Sequence, residues 1–440
     1  MVLIIILLIS ISFISHDVFA TEGKNGNISQ KQTNKKTVAI VKNDNNATLD
    51  LKWLINEAVE HNPEIIAAQK RLNAAKAKVP QAKSLDDPSV RVGSFDMSNS
   101  PINIEGQTDM LQQRFGASQK IPFPGKLRLR GEVAIEESSM VEKELQAKIQ
   151  EITTLIKSAF YELYYINNAV NITEENRDLL GKFAKIAETK YSVGKTTQRD
   201  VLAAQVELST LANNLIVLNK ERESIIARLN ILLDRPTQTS LGKPRPFEKH
   251  TLNLTIKELE DLAIKNRPEL KKFDHAIKKN EANLNLSKKD YYFADFEPMV
   301  EYMQENGRPD TWASEITINV PWLWPKNRLK IKEANEDLQA AKSDYRFINN
   351  KTLFEVKDLL VKIQSSESTV NLYKTGVIPQ AEQSLKAARI GYETDRVDFL
   401  TLIDSQRILL NSRLLYNRAL ADFEQNLANM ERAVGMQLTQ

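Results

Sequence analysis

The chain has 440 residues, 27% of them charged, with only 14 glycines and a net charge of +3 in which both signs are interspersed. That balance excludes a nucleic-acid binder held by a basic field and fits long helices, whose exposed faces take Ala, Leu, Glu, Lys and Gln. Cysteine is absent, which excludes disulfides, thiolate metal ligands and a lipidated N-terminal cysteine.

Residues 1–20 read MVLIIILLISISFISHDVFA. The apolar run from Val2 to Ile14 is too short for a spanning helix and suits the core of a secretory signal. Val18, Phe19 and Ala20 supply a small-residue cleavage site, although no Lys or Arg precedes the run. Residues 21–47 are rich in Asn, Lys and Gly. They hold too little apolar area to offset their ordering entropy, so a flexible leader is expected.

From residue 48 onward the chain is one unit written twice. LINEAVEHNPEI (54–65) matches LEDLAIKNRPEL (259–270), with Leu54, Ala58, Pro63 and Glu64 falling on Leu259, Ala263, Pro268 and Glu269. QKIPFPGKLR (119–128) matches NVPWLWPKNR (319–328), with Pro122 on Pro321, Phe123 on Trp322, Lys126 on Lys326 and Arg128 on Arg328. Tyr191 and Gln205 likewise fall on Tyr392 and Gln406. A first repeat over 48–236, a Pro- and Gly-rich linker over 237–258 and a second repeat over 259–440 follow.

Within each repeat the hydrophobic period switches. The first strand pair is expected over about 88–121, where Leu111, Phe115, Ala117 and Ile121 oppose Gln112, Arg114, Gly116, Ser118 and Lys120. The second is expected over about 297–320, with Trp312, Ile316, Ile318 and Val320 on one face and Ala313, Glu315, Thr317 and Asn319 on the other. Four such strands have the length to cross a bilayer at a tilt, but they cannot close a barrel, and an open edge in lipid is forbidden. Other copies of the chain must complete them.

Beyond each strand pair stands a corner: Pro122, Pro124 and Gly125 in the first, Pro321 and Pro325 in the second. Proline ends the ladder and glycine redirects the chain, so each corner joins a strand to a helix. Lys126, Arg128 and Arg130 are expected beside the membrane boundary. Heptads then take over. Leu145, Ile149, Ile152, Ile156, Ala159, Leu163, Ile166 and Val170 lead into a return leg with Leu208, Leu211, Leu215, Leu218, Ile225, Leu229 and Leu232, giving a helical hairpin over about 125–234. Val356, Leu359, Ile363, Val370, Tyr373 and Val377, then Leu402, Leu409, Tyr416, Phe423 and Met430, give a second hairpin over about 326–436. No proline interrupts 125–190, so a single helix of roughly 100 Å is allowed at about 1.5 Å per residue.

Duplicated halves, each with a strand pair, a proline corner and a long helical hairpin, resemble the TolC-like outer-membrane efflux proteins, and QKIPFPGK resembles their heavy-metal branch. The resemblance runs from about residue 50 to 436 and rests most on the corner and on DRVDFLTLIDSQR. It implies a mainly α fold with a small β part and a homotrimer. Four strands from each chain would make a twelve-stranded barrel in the outer membrane, continuous with a helical periplasmic tunnel. It further implies a periplasmic adaptor and an inner-membrane pump as partners, no cofactor and no catalysis.

The hairpin tips, at 191–200 and 392–401, are where such tunnels close. Asp404 matches an aspartate of the constriction ring, and Thr401 replaces a second acidic position one turn earlier. Asp200 and Tyr392 match partners in the closing links. Val397 holds the usual arginine position, with Arg396 adjacent. Gly194 permits one tip turn, and Asp395, which tolerates a left-handed conformation, takes that place in the other. Met97, Met110, Met299 and Met303 gather near the strands and read as apolar filler or, less simply, as soft-metal ligands. His61, His250 and His275 are scattered, and no clustered catalytic site is evident. Two other readings follow from the same residues: a periplasmic coiled-coil adaptor or scaffold, which would carry one hairpin within other domains, and a periplasmic enzyme.

Overall fold

The computed structural model describes residues 48–96, 111–305 and 309–438. The expected signal and leader, the first strand-pair turn, Met97 and Met110 lie outside these residues. The described chain is mainly α with one small sheet. Two short helices, α1 (Leu51–His61) and α2 (Pro63–Lys83), lead into β1 (Ser89–Asp96) and β2 (Leu111–Ser118), then α3 (Lys126–Ser192) and α4 (Gln198–Leu232). The order then repeats with α5 (Ile256–Asn266), α6 (Pro268–Tyr292), β3 (Phe296–Glu305), β4 (Thr311–Ile318) and α7 (Pro325–Leu372). A single π turn (Tyr373–Val377), α8 (Ile378–Glu393) and α9 (Phe399–Val434) complete it.

Each pair of short helices is broken by the same chemistry. Pro63 and Pro268 stand first in α2 and α6, where a missing N–H costs nothing. Asn62 caps α2, its side chain accepting from the N–H groups of Glu64 (2.9 Å) and Ile65, while its amide donates to the Leu232 carbonyl at 2.9 Å. Arg267 holds the matching place in the second half and is spent on Glu355 at 2.8 Å instead.

The heptad positions form the core. Ile152, Ile156, Leu163 and Leu229 pack with Leu54 and Ala58 under the first half. Val356, Ile363, Phe423 and Met430 pack with Leu259 and Ala263 under the second. A third cluster, with Leu180, Phe183, Leu211, Phe399 and Leu402, binds the two hairpins together toward their tips. Each fully buried Leu, Ile or Phe contributes about 1.5–3 kcal/mol. The period fails at one place. Tyr373 and Val377 fall in the π turn, which buries none of its residues. Pro379 follows directly, and its ring cannot accept the regular i−4 geometry, so the helix inserts one residue ahead of it.

The sheet is antiparallel in the order β1-β2-β3-β4. Arg91 faces Gly116, Gly116 faces Glu301 and Glu301 faces Ala313; one residue along, Phe115 faces Val92 and Tyr302, and Tyr302 faces Trp312. The two faces therefore differ in character. One carries Arg91, Gln112, Arg114, Ser118, Glu297, Glu301, Glu315 and Thr317. The other carries Val90, Val92, Phe115, Val300, Trp312, Ile316 and Ile318, all exposed, with Val90 at 78%. Among the described residues, the outer edges of β1 and β4 pair with no other strand.

Backbone geometry yields a test. Gly194 and Gly435 both have positive φ, at 73° and 82°. A Cβ on Gly194 meets nothing within 4 Å, whereas one on Gly435 lies 2.8 Å from the Arg267 backbone. Gly194→Ala should cost about 1–2 kcal/mol, the left-handed penalty alone. Gly435→Ala should lower the melting temperature further, because backbone must also move; equal shifts in thermal denaturation would contradict this.

Candidate functional site

Two regions concentrate unusual geometry: the joints between sheet and helices, and the hairpin tips. At the first joint Ile121 still bridges Phe296, with hydrogen bonds of 2.7 and 3.0 Å. Pro122 is buried beyond it, and Gly125, at φ 90°, turns the chain into α3. Lys126 then points inward. It is 2% exposed, and its Nζ donates to the Asp295 carboxylate and the Phe293 carbonyl, both at 2.8 Å, with Asp290 at 3.2 Å. Burial alone would raise the Asp295 pKa, but hydrogen bonds from Lys126 and from the Phe123 N–H hold it below the usual carboxylate range. Phe123 stacks on Phe293 with centroids 4.2 Å apart. Two carboxylates of the second half thus claim Lys126. Arg128 pairs with Glu132 at 2.6 Å.

The second joint is built differently. Pro325 opens α7, and Asn327 ties back to the Pro321 carbonyl at 2.9 Å. Trp322, Leu323 and Trp324 are exposed, Trp324 at 75%, and Lys326 is exposed without an ion pair among the described residues.

At the tips Gly194 and Asp395 both take the left-handed conformation, Asp395 at φ 57°. Lys190, which sequence reasoning passed over, joins the halves. Its Nζ lies 4.4 Å over the Tyr392 ring, donates to the Tyr392 carbonyl and pairs with Asp395. These contacts, chiefly the Lys190 hydrogen bond, hold the Asp395 carboxyl below its ordinary range. Tyr392 is buried against Phe399, with centroids 5.3 Å apart. Burial raises its phenol pKa, and the negative charge of Asp200 adds to the shift. Asp200 itself is buried and accepts from the Thr196 hydroxyl, with Arg199 at 3.9 Å. Asp200 and Tyr392 are therefore brought together, whereas Arg396 contributes its backbone N–H to the turn, at 2.7 Å from the Gly391 carbonyl.

Asp404 is exposed on α9 and lies 3.4 Å from Arg407, which reaches across to Glu207 of α4 at 2.8 Å. Thr401 is committed to Asp398, which accepts both its N–H, at 3.0 Å, and its hydroxyl and so caps α9. Elsewhere the three described histidines each face a different glutamate: His61 and Glu57, His250 and Glu424, His275 and Glu136. Among the described residues no three His, Cys, Asp or Glu side chains converge on a metal position. Met299 and Met303 lie on the polar face of the sheet, their sulfurs approached by Arg91 at 3.6 Å and Gln112 at 3.7 Å.

Two long helical hairpins stand on an amphipathic four-stranded sheet whose outer edges pair with no other strand among the described residues. Residues 54–233 match the family described as Outer membrane efflux protein. The chain is 21% identical over 425 residues to the cobalt-zinc-cadmium resistance protein CzcC of Cupriavidus metallidurans, covering 93% of this chain and 95% of that one. Its fold matches a crystal structure of CusC with a TM-score of 0.77 at 17% identity, over 88% of this chain and 92% of that one. It also matches the outer membrane protein VceC of Vibrio cholerae with a TM-score of 0.75 at 19% identity, over 88% and 96%. The chain is thus similar to outer-membrane efflux proteins over residues 54–233, shares the fold of solved outer-membrane channels, and has a heavy-metal resistance protein among its relatives.

The tip contacts can be probed directly. Asp395→Asn keeps a side chain that tolerates the left-handed turn and removes its charge. Tryptic cleavage after Lys195 and Arg199 should accelerate; an unchanged rate would mean that the tips are held without the pair.

Proposed function

We propose that the protein is the outer-membrane channel of a tripartite efflux system, passively conducting substrate delivered by an inner-membrane pump and a periplasmic adaptor. The observation that carries this reading is the sheet: an uncovered apolar face, a polar face and two free edges, on strands of eight to ten residues. Such a sheet suits lipid on one side and water on the other. Three copies supply twelve strands, and closure removes every edge.

The helices support the same assembly. Phe347, Phe354 and Val361 repeat at heptad spacing on α7 and are all exposed, Phe354 at 72%. On α4, Leu202, Val206 and Ile216 are exposed likewise. These stripes suit lateral packing against neighbouring copies. The tips then close the periplasmic end, with Asp404 repeated three times around the axis, and Asp200, Tyr392 and Lys190 joining the hairpins within each copy. The resistance-protein relative favours metal cations as substrate, and Glu297, Glu301 and Glu315 on the polar face favour positive charge. No step requires catalysis.

Membrane fractionation tests the assembly. An outer-membrane band that migrates as a trimer unheated and as a monomer after boiling is expected, and a soluble monomer would overturn the reading. For the aperture, Asp404→Ala should reduce cation selectivity and divalent block in single-channel recordings. Recordings identical to the parent would remove Asp404 from the gate.

A further inference from the structure

The chain contains two joints of common pattern, and one of them holds a contact that the other lacks. At the first, Lys126 is sequestered by Asp295, and Phe123 stacks on Phe293. At the second, the matching Lys326 and Trp322 face outward, Trp322 at 51% exposure. The groups that satisfy the first joint precede β3, the strand beside β2. Nothing occupies that place beside β4, because β4 is an edge.

Register identifies what belongs there. Ser118 stands opposite Ser89 and its counterpart Thr317 stands opposite Glu297, so Ser89 and Glu297 are equivalent. Two residues earlier in each strand, Asp87 is the equivalent of Asp295; two further back, Leu85 is the equivalent of Phe293. Both Asp87 and Leu85 are exposed. An exposed cation beside an exposed Trp thus has, on the opposite edge, an exposed carboxylate beside an exposed leucine.

We propose that the protomer interface repeats the internal joint: Lys326 of one copy pairs with Asp87 of the next, and Trp322 covers Leu85 of that next copy. This rests on the trimer reading above. The same rule fixes the strand register. Ser118 faces Met299 within the chain, so Thr317 faces Arg91 of the neighbour, Ile318 faces its Val90 and Ile316 its Val92. All four of these apolar side chains are exposed in the single chain, from 51% at Ile318 to 78% at Val90. The register keeps them on one face and brings Glu315 diagonally beside Arg91 on the other. A slip of one residue would invert the faces.

The chain has no cysteine, so introduced thiols are the only ones present. Positions 90 and 318 lie on opposite edges of one sheet, about 14 Å apart across it at the usual strand spacing and offset by four residues along it, and cannot pair within a chain. Ile318→Cys with Val90→Cys should give a covalent trimer on oxidation, and Ile318→Cys with Val92→Cys should give far less. Lys326→Asp and Asp87→Lys should each lower the temperature at which the trimer dissociates on gels, and the double variant should restore it. A charge swap that restores nothing, or stronger crosslinking in the slipped pair, overturns the proposal while an unmodified heat-sensitive trimer leaves the channel reading standing. If the unmodified protein runs as a monomer heated or not, both fall.

Discussion

Lipid cannot hydrogen-bond a free strand edge, and the other features follow from this constraint. The sheet has an apolar face that no helix covers and edges that no strand pairs. An isolated copy in a bilayer would leave two rows of N–H and C=O groups unpaired, each costing several kcal/mol. Association is therefore a condition of the folded state in lipid. It also explains why the ladders stop where they do. Pro122 and Pro321 stand just beyond the last paired residues, Ile121 and Ile318, and the chain that leaves them is helical, satisfying its own backbone groups away from the sheet.

The two halves carry the same order of elements and use matching positions differently. Asn62 caps a helix where Arg267 joins an ion-pair network; Gly194 makes a turn where Asp395 makes a turn and also binds Lys190. Several ion pairs run between the halves: Lys157 with Glu431, Glu162 with Arg418 at 2.7 Å, and Glu207 with Arg407 at 2.8 Å. Half-exposed members of this set contribute about 0–1 kcal/mol each. Lys157–Glu431 is mostly buried, so loss of one partner would strand a charge, at about 3–5 kcal/mol. Such pairs fix how one hairpin is rotated on the other more than they add stability.

Much of the fold was legible because it is written as a period. Heptad residues such as Ile156, Leu229, Val356 and Phe423 announce a buried stripe whatever lies opposite, and all four are buried. Alternation in the strands likewise separates polar from apolar before any partner is known. The π turn was carried by Pro379, a residue whose effect on the period was overlooked. What could not be read was direction. Nothing local distinguishes the inward Lys126 from the exposed Lys326; the difference lies in Asp295, which register alone brings alongside. Lys190 and Arg407 were missed for the same reason, since each finds its partner about one repeat away.

The tip chemistry bears on how such a gate would be worked. A depressed carboxyl contributes its link above its unfolded pKa and loses it as pH falls through the folded value. Asp395 is depressed, chiefly by the Lys190 hydrogen bond, so its pair with Lys190 persists at neutral pH and fails only as pH falls below the ordinary carboxylate range. Tyr392 is shifted the other way, upward, and so stays neutral under the same conditions. No histidine stands at either tip; the described ones are His61, His250 and His275. Asp395 and Tyr392 therefore each keep one charge state near neutral pH. If the tips gate a tunnel, opening would need a competing surface that offers Lys190 or Asp395 better partners than these. A docked protein surface would do that, whereas the Asp395 link itself does not titrate near neutral pH.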